Sequence, residues 1–145
     1  MAINFHIEPP LQYKLQERMQ LRSWLKQVAE THGHRMGELN IILCTDDYLH
    51  DMNLQYLQHD TLTDVITFDN SEQEGRIEGD IFISVERVKD NAAQFGTDPS
   101  HELRRVMVHG TLHLIGYGDK SEDEQAQMRQ KENEWLDKYD AMPKK

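Results

Sequence analysis

The residue types best suited to chemistry lie in one short stretch, positions 109–119. His109 and His113 are four residues apart, so on a helix they share one face, where two imidazoles can hold the same metal ion. Gly116 and Gly118 end such a helix, and a chain that turns back over its last turn can bring Asp119 beside the imidazoles. Three protein ligands that leave positions open for water or substrate are typical of a catalytic metal site.

The spacing of the two histidines leaves a simpler interpretation open. His113 can face the core with a hydrogen-bond partner while His109 lies at the edge of the core, without any metal. One class of enzyme is disfavoured, because Gly110 occupies the place of the glutamate in the zinc-peptidase motif H-E-x-x-H. A peptidase of that type needs the glutamate as its general base, so the pattern counts against proteolysis.

The run H-G-T-L-H-L-I-G-Y-G-D at 109–119 resembles the signature of the YbeY family of endoribonucleases, H-G-x-L-H-L-x-G-Y-D-H. Asp119 stands where the family usually has its third histidine. The resemblance implies that His109, His113 and Asp119 bind one zinc ion per chain and act in catalysis through the metal-bound water. The ligand set would then contain two imidazoles and one carboxylate.

Two further segments resemble family blocks, in the same order. The segment 53–68 contains an Asn, an aromatic residue and the run T-D-V-I-T-F, and G-D-I-F-I-S at 79–84 resembles the third block. Together with the metal run, the resemblance covers about residues 45–135. Three blocks in the family's order argue against a chance similarity.

One residue in the second block departs from the family. The family usually has an arginine directly after the aromatic residue, whereas here Leu57 follows Tyr56. An arginine at that point can pair with a scissile phosphate through its planar fork. Arg76 and Lys120 are candidate substitutes, and each also suits an ordinary solvated surface position.

Asp64 and Asp80 occupy equivalent strand ends in the resemblance. Either can orient a metal-bound histidine as a hydrogen-bond acceptor, or it can bind the amides of a turn. Both roles stay open for Asp64, and the structural role is favoured for Asp80. Among the other histidines, His59 is the first alternative ligand because it lies beside the T-D-V run.

Length and composition predict one domain over residues 1–145, which buries roughly two-thirds of its unfolded surface. The N-terminus lacks a basic segment followed by a long apolar run, and no window approaches about 18 apolar residues. We therefore expect a cytoplasmic protein with no membrane partner. Cys44 follows three apolar residues and is predicted to be a buried strand thiol.

The net charge of −10 is unfavourable for RNA binding, because phosphate contacts depend on Lys and Arg. Much of the acid lies in the run 121–134, which is predicted to form the solvated face of a helix. A locally basic cleft stays compatible with this uneven distribution.

Hydrophobic periodicity predicts strands and helices mixed along the chain. The strands are predicted at 3–8, 38–45, 62–68 and 79–84, and the helices at 11–31, 46–57, 85–95, from 99 to the glycine at 116, and at 121–139. Ser121 and Glu124 have the spacing of a capping box at the start of the last helix. This order predicts an α+β domain with a small mixed sheet of about four strands covered by helices, and a central metal helix.

The resemblance implies a metal-dependent endoribonuclease of single-stranded RNA. It further implies a role in ribosomal RNA maturation at the 3′ end of 16S RNA and in ribosome quality control, with a ribosomal or assembly-factor protein as partner. Two alternatives stay open. One is a ribosome-assembly binding protein whose metal only stabilises the C-terminal fold, which the missing arginine and the acidic charge favour. The other is a metal-dependent hydrolase of a smaller substrate.

Overall fold

Strands and helices are mixed along the first two-thirds of the chain, and three helices follow one another at the end. The computed structural model describes residues 2–57 and 63–143. The elements are β1 (Ala2–Ile7), α1 (Arg18–Thr31), β2 (Arg35–Cys44), α2 (Asp46–Leu57), β3 (Val65–Asp69), β4 (Arg76–Ser84), α3 (Val85–Phe95), α4 (Pro99–Ile115) and α5 (Glu122–Asp140). The predicted order of elements is confirmed.

The four strands form one mixed sheet in the order β1-β2-β4-β3. β1 and β4 both pair with β2 in parallel, and β3 pairs with β4 as an antiparallel hairpin. β2 is buried along most of its length, as the continuous apolar run at its centre predicts. The α+β class and the four-stranded mixed sheet are therefore confirmed.

The first helix is shorter than the prediction of 11–31. It begins at Arg18, directly after Glu17, whose φ of 60° lies in the left-handed region. Leu11 and Leu15 have helical spacing, yet they reach the core from an irregular segment that starts with a turn in which the Leu11 N–H donates to the Glu8 carbonyl (3.0 Å). The apolar spacing here reflects burial and not helix periodicity.

Strand ends also differ from the prediction. β2 begins at Arg35 and β4 at Arg76, each three residues before the predicted start. The two strands continue to pair on the N-terminal side of a bulge between Met36 and Leu39. β3 begins at Val65, and the predicted first residue of that strand, at position 62, lies outside the described residues. The strand start therefore lies immediately after Asp64.

α4 is the central helix, since it contacts β3 and β4 on one side and α1, α3 and α5 on others. Met107 and Leu112 are fully buried in its interface, and burial of side chains of this size stabilises the fold by about 1.5–3 kcal/mol each. Gly110 allows the close approach to the sheet, because a Cβ there would lie 2.9 Å from Cδ1 of Ile81. The predicted central position of this helix is confirmed.

Local signals set the ends of the last three helices. Ser84 caps α3 and Gly96 ends it with a φ of 68°, and Asp98 caps α4. Ser121 and Glu124 form the predicted capping box at the start of α5. α4, the turn that follows it and α5 hold the residues of the metal group described below.

Cys44 is fully buried at the end of β2 and donates its thiol to the carbonyl of Ile83 (3.4 Å). Burial raises the pKa of this thiol to about 12. The prediction of a buried strand thiol is confirmed, and the group has no thiolate character at neutral pH.

Within residues 2–57 and 63–143, none of the helices has both the length and the apolar character needed to cross a membrane.

Candidate metal centre

α4 places His109 and His113 on one face, as their spacing predicts. The two ring centroids lie 4.6 Å apart with the rings nearly perpendicular. Both side chains are partly exposed, at 21% and 27%, so the pair lies at the edge of the core and not within it. An ion from solvent therefore has access to both rings.

The turn after α4 brings the chain back over the last helical turn. The N–H groups of Gly116 and Tyr117 both donate to the carbonyl of Leu112, at 3.1 and 3.0 Å. Gly116 has a φ of 123°, which side-chain-bearing residues rarely adopt. This reversal carries Asp119 to the exposed side of the histidines.

The carboxylate of Asp119 meets both imidazoles. Its Oδ2 atom lies 3.2 Å from Nε2 of His113 and 3.5 Å from Nε2 of His109. One ligand atom from each of the three residues lies within 4.8 Å of the others, and among the described residues this is the one such group of His, Cys, Asp and Glu. The group that the sequence predicts is thus assembled, and it could hold a metal ion.

Both imidazoles are oriented through their second nitrogen. Nδ1 of His113 lies 2.9 Å from the carbonyl oxygen of Tyr117, and Nδ1 of His109 lies 2.6 Å from Oε2 of Glu132. Because a carbonyl and a carboxylate only accept, each Nδ1 is assigned the proton, which leaves Nε2, on the side of Asp119, as the atom that can bind a metal ion when the ring is neutral. Two imidazole nitrogens and one carboxylate oxygen suit zinc and neighbouring divalent ions.

Glu132 contacts the metal group directly, and the sequence reasoning missed it. The run 121–134 was predicted to be a solvated face, but Glu132 is only 4% exposed, and the prediction is wrong at this position. A signal was present in the sequence: Glu132 lies four residues after Met128 and three before Trp135, on the apolar face of α5. A lone carboxylate on such a face needs a partner.

His109 and Glu132 each shift the pKa of the other toward its charged form. Burial acts to raise the pKa of the Glu132 carboxyl, but the hydrogen bond and charge of His109, with the hydrogen bond from Arg105, lower it below its ordinary value. Burial likewise acts to lower the pKa of His109, but the hydrogen bond and charge of Glu132 raise it. The pair therefore favours a charged carboxylate facing Nδ1–H.

Asp64 lies in the wall of a cleft beside the metal group, and its carboxylate forms no hydrogen bond with any of the described histidines. Its carboxylate accepts from Nδ2 of Asn91 at 3.5 Å, and its backbone carbonyl accepts from the N–H of Ser84 at 3.0 Å. Burial raises the pKa of this carboxyl, although the charge of His109 lowers it. The acceptor for His109 is Glu132, and a role for Asp64 in the reaction stays a prediction.

Asp80 lies within β4, where its two carboxylate oxygens accept from the side-chain amides of Asn40 (2.9 Å) and Asn70 (3.3 Å). This agrees with the structural role favoured from the sequence. His59, the alternative ligand, lies outside the described residues.

The cleft has a volume of about 630 Å³ and lies between α3, α4 and α5, with His109 and Asp119 in its wall. Among the described residues that line it, the two with a permanent positive charge are Arg105 and Arg129. Arg105 is only 15% exposed and is held by Glu102, Glu132 and Asn133, whereas Arg129 is 57% exposed with a loose contact of 3.7 Å to Glu132.

Neither of the basic residues proposed from the sequence lines this cleft. Arg76 pairs with Glu78 (3.2 Å) at the start of β4. The other end of β4, at Ser84, lies beside the cleft, and Arg76 is roughly 26 Å away from it along the strand. Lys120 is exposed in the turn before α5. Arg129 lies far from the family's arginine in sequence, so no local pattern pointed to it.

Comparison with known proteins gives consistent matches. The family model described as Endoribonuclease YbeY matches residues 9–140. A protein named Endoribonuclease YbeY from Cytophaga hutchinsonii is 50% identical over 129 residues, covering 89% of this chain and 90% of that protein. One from Amoebophilus asiaticus is 45% identical over 132 residues, covering 91% and 90%.

A solved structure is also similar. The solution structure of TM1509 from Thermotoga maritima matches with a TM-score of 0.67 at 25% identity, covering 95% of this chain and 89% of that chain. The range matched by the family model contains α4, the turn after it and α5, and so includes every residue of the metal group.

Proposed function

The chain belongs to the YbeY family of endoribonucleases, and on that premise we propose that it cleaves single-stranded ribosomal RNA with one zinc ion bound by His109, His113 and Asp119. The family is known for ribosomal RNA maturation. For this chain we propose action at the 3′ end of 16S RNA and in ribosome quality control, in the cytoplasm. We propose that residues 1–145 form a single endoribonuclease domain.

One observation carries the metal assignment: two Nε2 atoms and one carboxylate oxygen converge while each Nδ1 has its own acceptor. A bound zinc ion would act as a Lewis acid: it would lower the pKa of the water bound to it and stabilise negative charge on a phosphodiester. His109 and His113 would hold the ion from α4, and Asp119 would hold it from the turn after α4. Gly110 faces Ile81 without a side chain that can act as a base, which supports a phosphodiester rather than a peptide as substrate.

Arg129 is the proposed contact for an RNA phosphate in the cleft. It is the more exposed of the two lining arginines, and its contact of 3.7 Å with Glu132 is loose, so its guanidinium can donate to a phosphate. Carboxylates of Asp64, Glu102 and Glu122 line the same cleft and repel phosphate, so the attraction is limited to the immediate surroundings of Arg129. We propose that a ribosomal or assembly-factor protein supplies the affinity that the acidic chain lacks.

The test is cleavage of a single-stranded RNA by purified wild type and His113→Ala, with the metal content of both measured by elemental analysis. We expect about one zinc per chain and RNA cleavage for wild type, and loss of both in His113→Ala, since a lost ligand weakens binding severely. His34→Ala is the matched control, because its Nδ1 lies 2.9 Å from the carbonyl of His32, away from the group.

Equal cleavage by wild type and His113→Ala would contradict the proposal and indicate a contaminating nuclease. The ribosome-assembly binding protein would then be the better description. Full zinc retention in His113→Ala would contradict the proposed ligand set.

A further inference from the structure

Glu132 uses its two carboxylate oxygens for two different donors. Oε2 accepts from Nδ1 of His109 at 2.6 Å, and Oε1 accepts from Nη1 of Arg105 at 3.0 Å. The carboxylate comes from α5, and both of its donors come from α4. It is thus held from two sides with its charge away from water.

We propose that Glu132 is a positioning residue that holds the His109 ring as its Nδ1–H tautomer, so that the Nε2 lone pair stays directed at the metal position. This inference rests on the proposed metal function of His109. An imidazole with its proton on Nε2 cannot offer that atom to a metal ion until the proton moves. The tautomer therefore affects metal affinity directly.

The chemistry of the two donors explains why a carboxylate is required. His109 and Arg105 contact different oxygens of Glu132, and a carboxamide has an oxygen at only one of these two positions and an NH₂ group at the other. The charged guanidinium of Arg105 attracts the oxygen more strongly. The amide NH₂ then faces Nδ1 of His109, which must accept, and the ring proton moves to Nε2.

A stabilising role alone does not account for a carboxylate on this face. Met128, Trp135 and Leu136 make the surrounding surface of α5 apolar, and a buried ion pair there is often no more stabilising than well-packed apolar side chains. Glu102 provides a comparison within the same cleft. It is equally buried at 4% and contacts the same Arg105 (3.5 Å), but it has no hydrogen bond or ion pair with any of the described histidines.

The experiment compares wild type, Glu132→Gln and the matched control Glu102→Gln. Zinc affinity is measured by titration against a competing chelator, and the imidazole tautomers are read from long-range ¹H–¹⁵N NMR spectra of the metal-free proteins. We expect Glu132→Gln to bind zinc about 10–100-fold more weakly, the range seen when an outer-shell partner is removed. We expect Glu102→Gln to bind zinc like wild type.

In spectra recorded above the pKa of His109, where the ring is neutral, we expect His109 as Nδ1–H in wild type and Glu102→Gln, and as Nε2–H in Glu132→Gln. His113 serves as an internal control for folding, because the carbonyl of Tyr117 keeps its Nδ1–H form in all three proteins. A His109 ring in the Nε2–H form in metal-free wild type would overturn the inference, whether or not the variant folds. Unchanged zinc affinity in a folded Glu132→Gln protein would also overturn it.

The two proposals fail in different ways. Absence of zinc binding by wild type would contradict the metal function, and the tautomer of metal-free wild type would still test the role of Glu132. Equal weakening of zinc binding in Glu102→Gln and Glu132→Gln would show a general effect of buried charge in the cleft, and it would overturn the specific role of Glu132.

Discussion

The Nδ1 atom of His109 lies 2.6 Å from Oε2 of Glu132, so a proposed metal ligand on α4 is joined directly to a buried carboxylate on α5. α5 also holds the turn that carries the third ligand, because Nε2 of Gln125 donates to the backbone carbonyl of Asp119 (3.0 Å). α5 therefore positions two of the three residues of the group although it supplies none of them. Metal binding should depend on the packing of α5 as well as on the histidines.

The first prediction concerns Asp119. We expect Asp119→Ala to weaken zinc binding by at least about 100-fold, since loss of a ligand should exceed the 10–100-fold effect of an outer-shell partner. Asp119→His should keep the metal and tighten zinc binding. It should also move the alkaline rise of RNA hydrolysis to lower pH, because a neutral ligand leaves more charge on the metal to lower the pKa of water toward about 7.

Zinc titration with a competing chelator and pH–rate profiles of the three proteins make this measurement. If Asp119→Ala bound zinc as tightly as wild type, Asp119 would be only a turn residue. The third ligand would then have to be sought elsewhere, first at His59.

The second prediction is a pH dependence of stability that originates at Glu102. Burial raises the pKa of this carboxyl, although the charge of Arg105 lowers it. A carboxyl whose folded pKa lies above its unfolded value contributes stability at low pH, which is lost as pH rises through the folded pKa. Glu102→Gln should therefore be more stable than wild type at neutral pH, and the difference should shrink toward about pH 4.

The measurement is urea unfolding of the metal-free proteins across this pH range. A Glu102→Gln protein less stable than wild type at neutral pH would mean that the ion pair with Arg105 outweighs the burial of the charge.

The third prediction tests the close approach of α4 to the sheet. In Gly110→Ala the new Cβ would lie 2.9 Å from Cδ1 and 3.0 Å from Cγ2 of Ile81, a fully buried residue. Overpacking of this kind costs about 1–3 kcal/mol, and the higher helix propensity of Ala offsets up to about 1 kcal/mol. We expect a net loss of about 1–2 kcal/mol in the free energy of unfolding.

Urea denaturation gives this value. Ile81→Val removes Cδ1, so in the Gly110→Ala background it should recover part of the stability that the new Cβ costs. Unchanged stability of Gly110→Ala would show that the sheet moves away from the helix without cost.

The fourth prediction concerns RNA binding at Arg129. Removal of one phosphate contact lowers the slope of log K against log salt by about 0.7 for a single strand. Arg129→Gln should show this smaller slope and weaker binding at low salt, whereas the intrinsic zinc affinity should stay unchanged. Lys131→Gln is the matched control, because Lys131 lies on the same helix, pairs with Glu134 (3.1 Å) and does not line the cleft.

Filter binding or fluorescence anisotropy over a salt series measures both slopes. Equal slopes for wild type and Arg129→Gln would exclude Arg129 as a phosphate contact. Tight binding of naked RNA that is insensitive to salt would contradict the proposed need for a protein partner.

Features set by neighbouring residues could be predicted from the sequence. The bounds of α2 and α3 match the prediction, and the capping box of Ser121 and Glu124 is formed. The group of His109, His113 and Asp119 was also predictable, because one helix and the turn that ends it bring the three together within eleven residues. Such contacts depend on local backbone geometry, which spacing and glycine positions specify.

Features set by packing between distant segments required the tertiary structure. Residues 11–17 have helical spacing but reach the core without a helix, since the core selects apolar side chains and not a backbone conformation. The partnership of Glu132 with His109 depends on how α5 packs across α4, and the availability of Arg129 depends on which cations the cleft already neutralises. The ligand residues can thus be read from local spacing, whereas their orientation is decided by helix packing that no local pattern encodes.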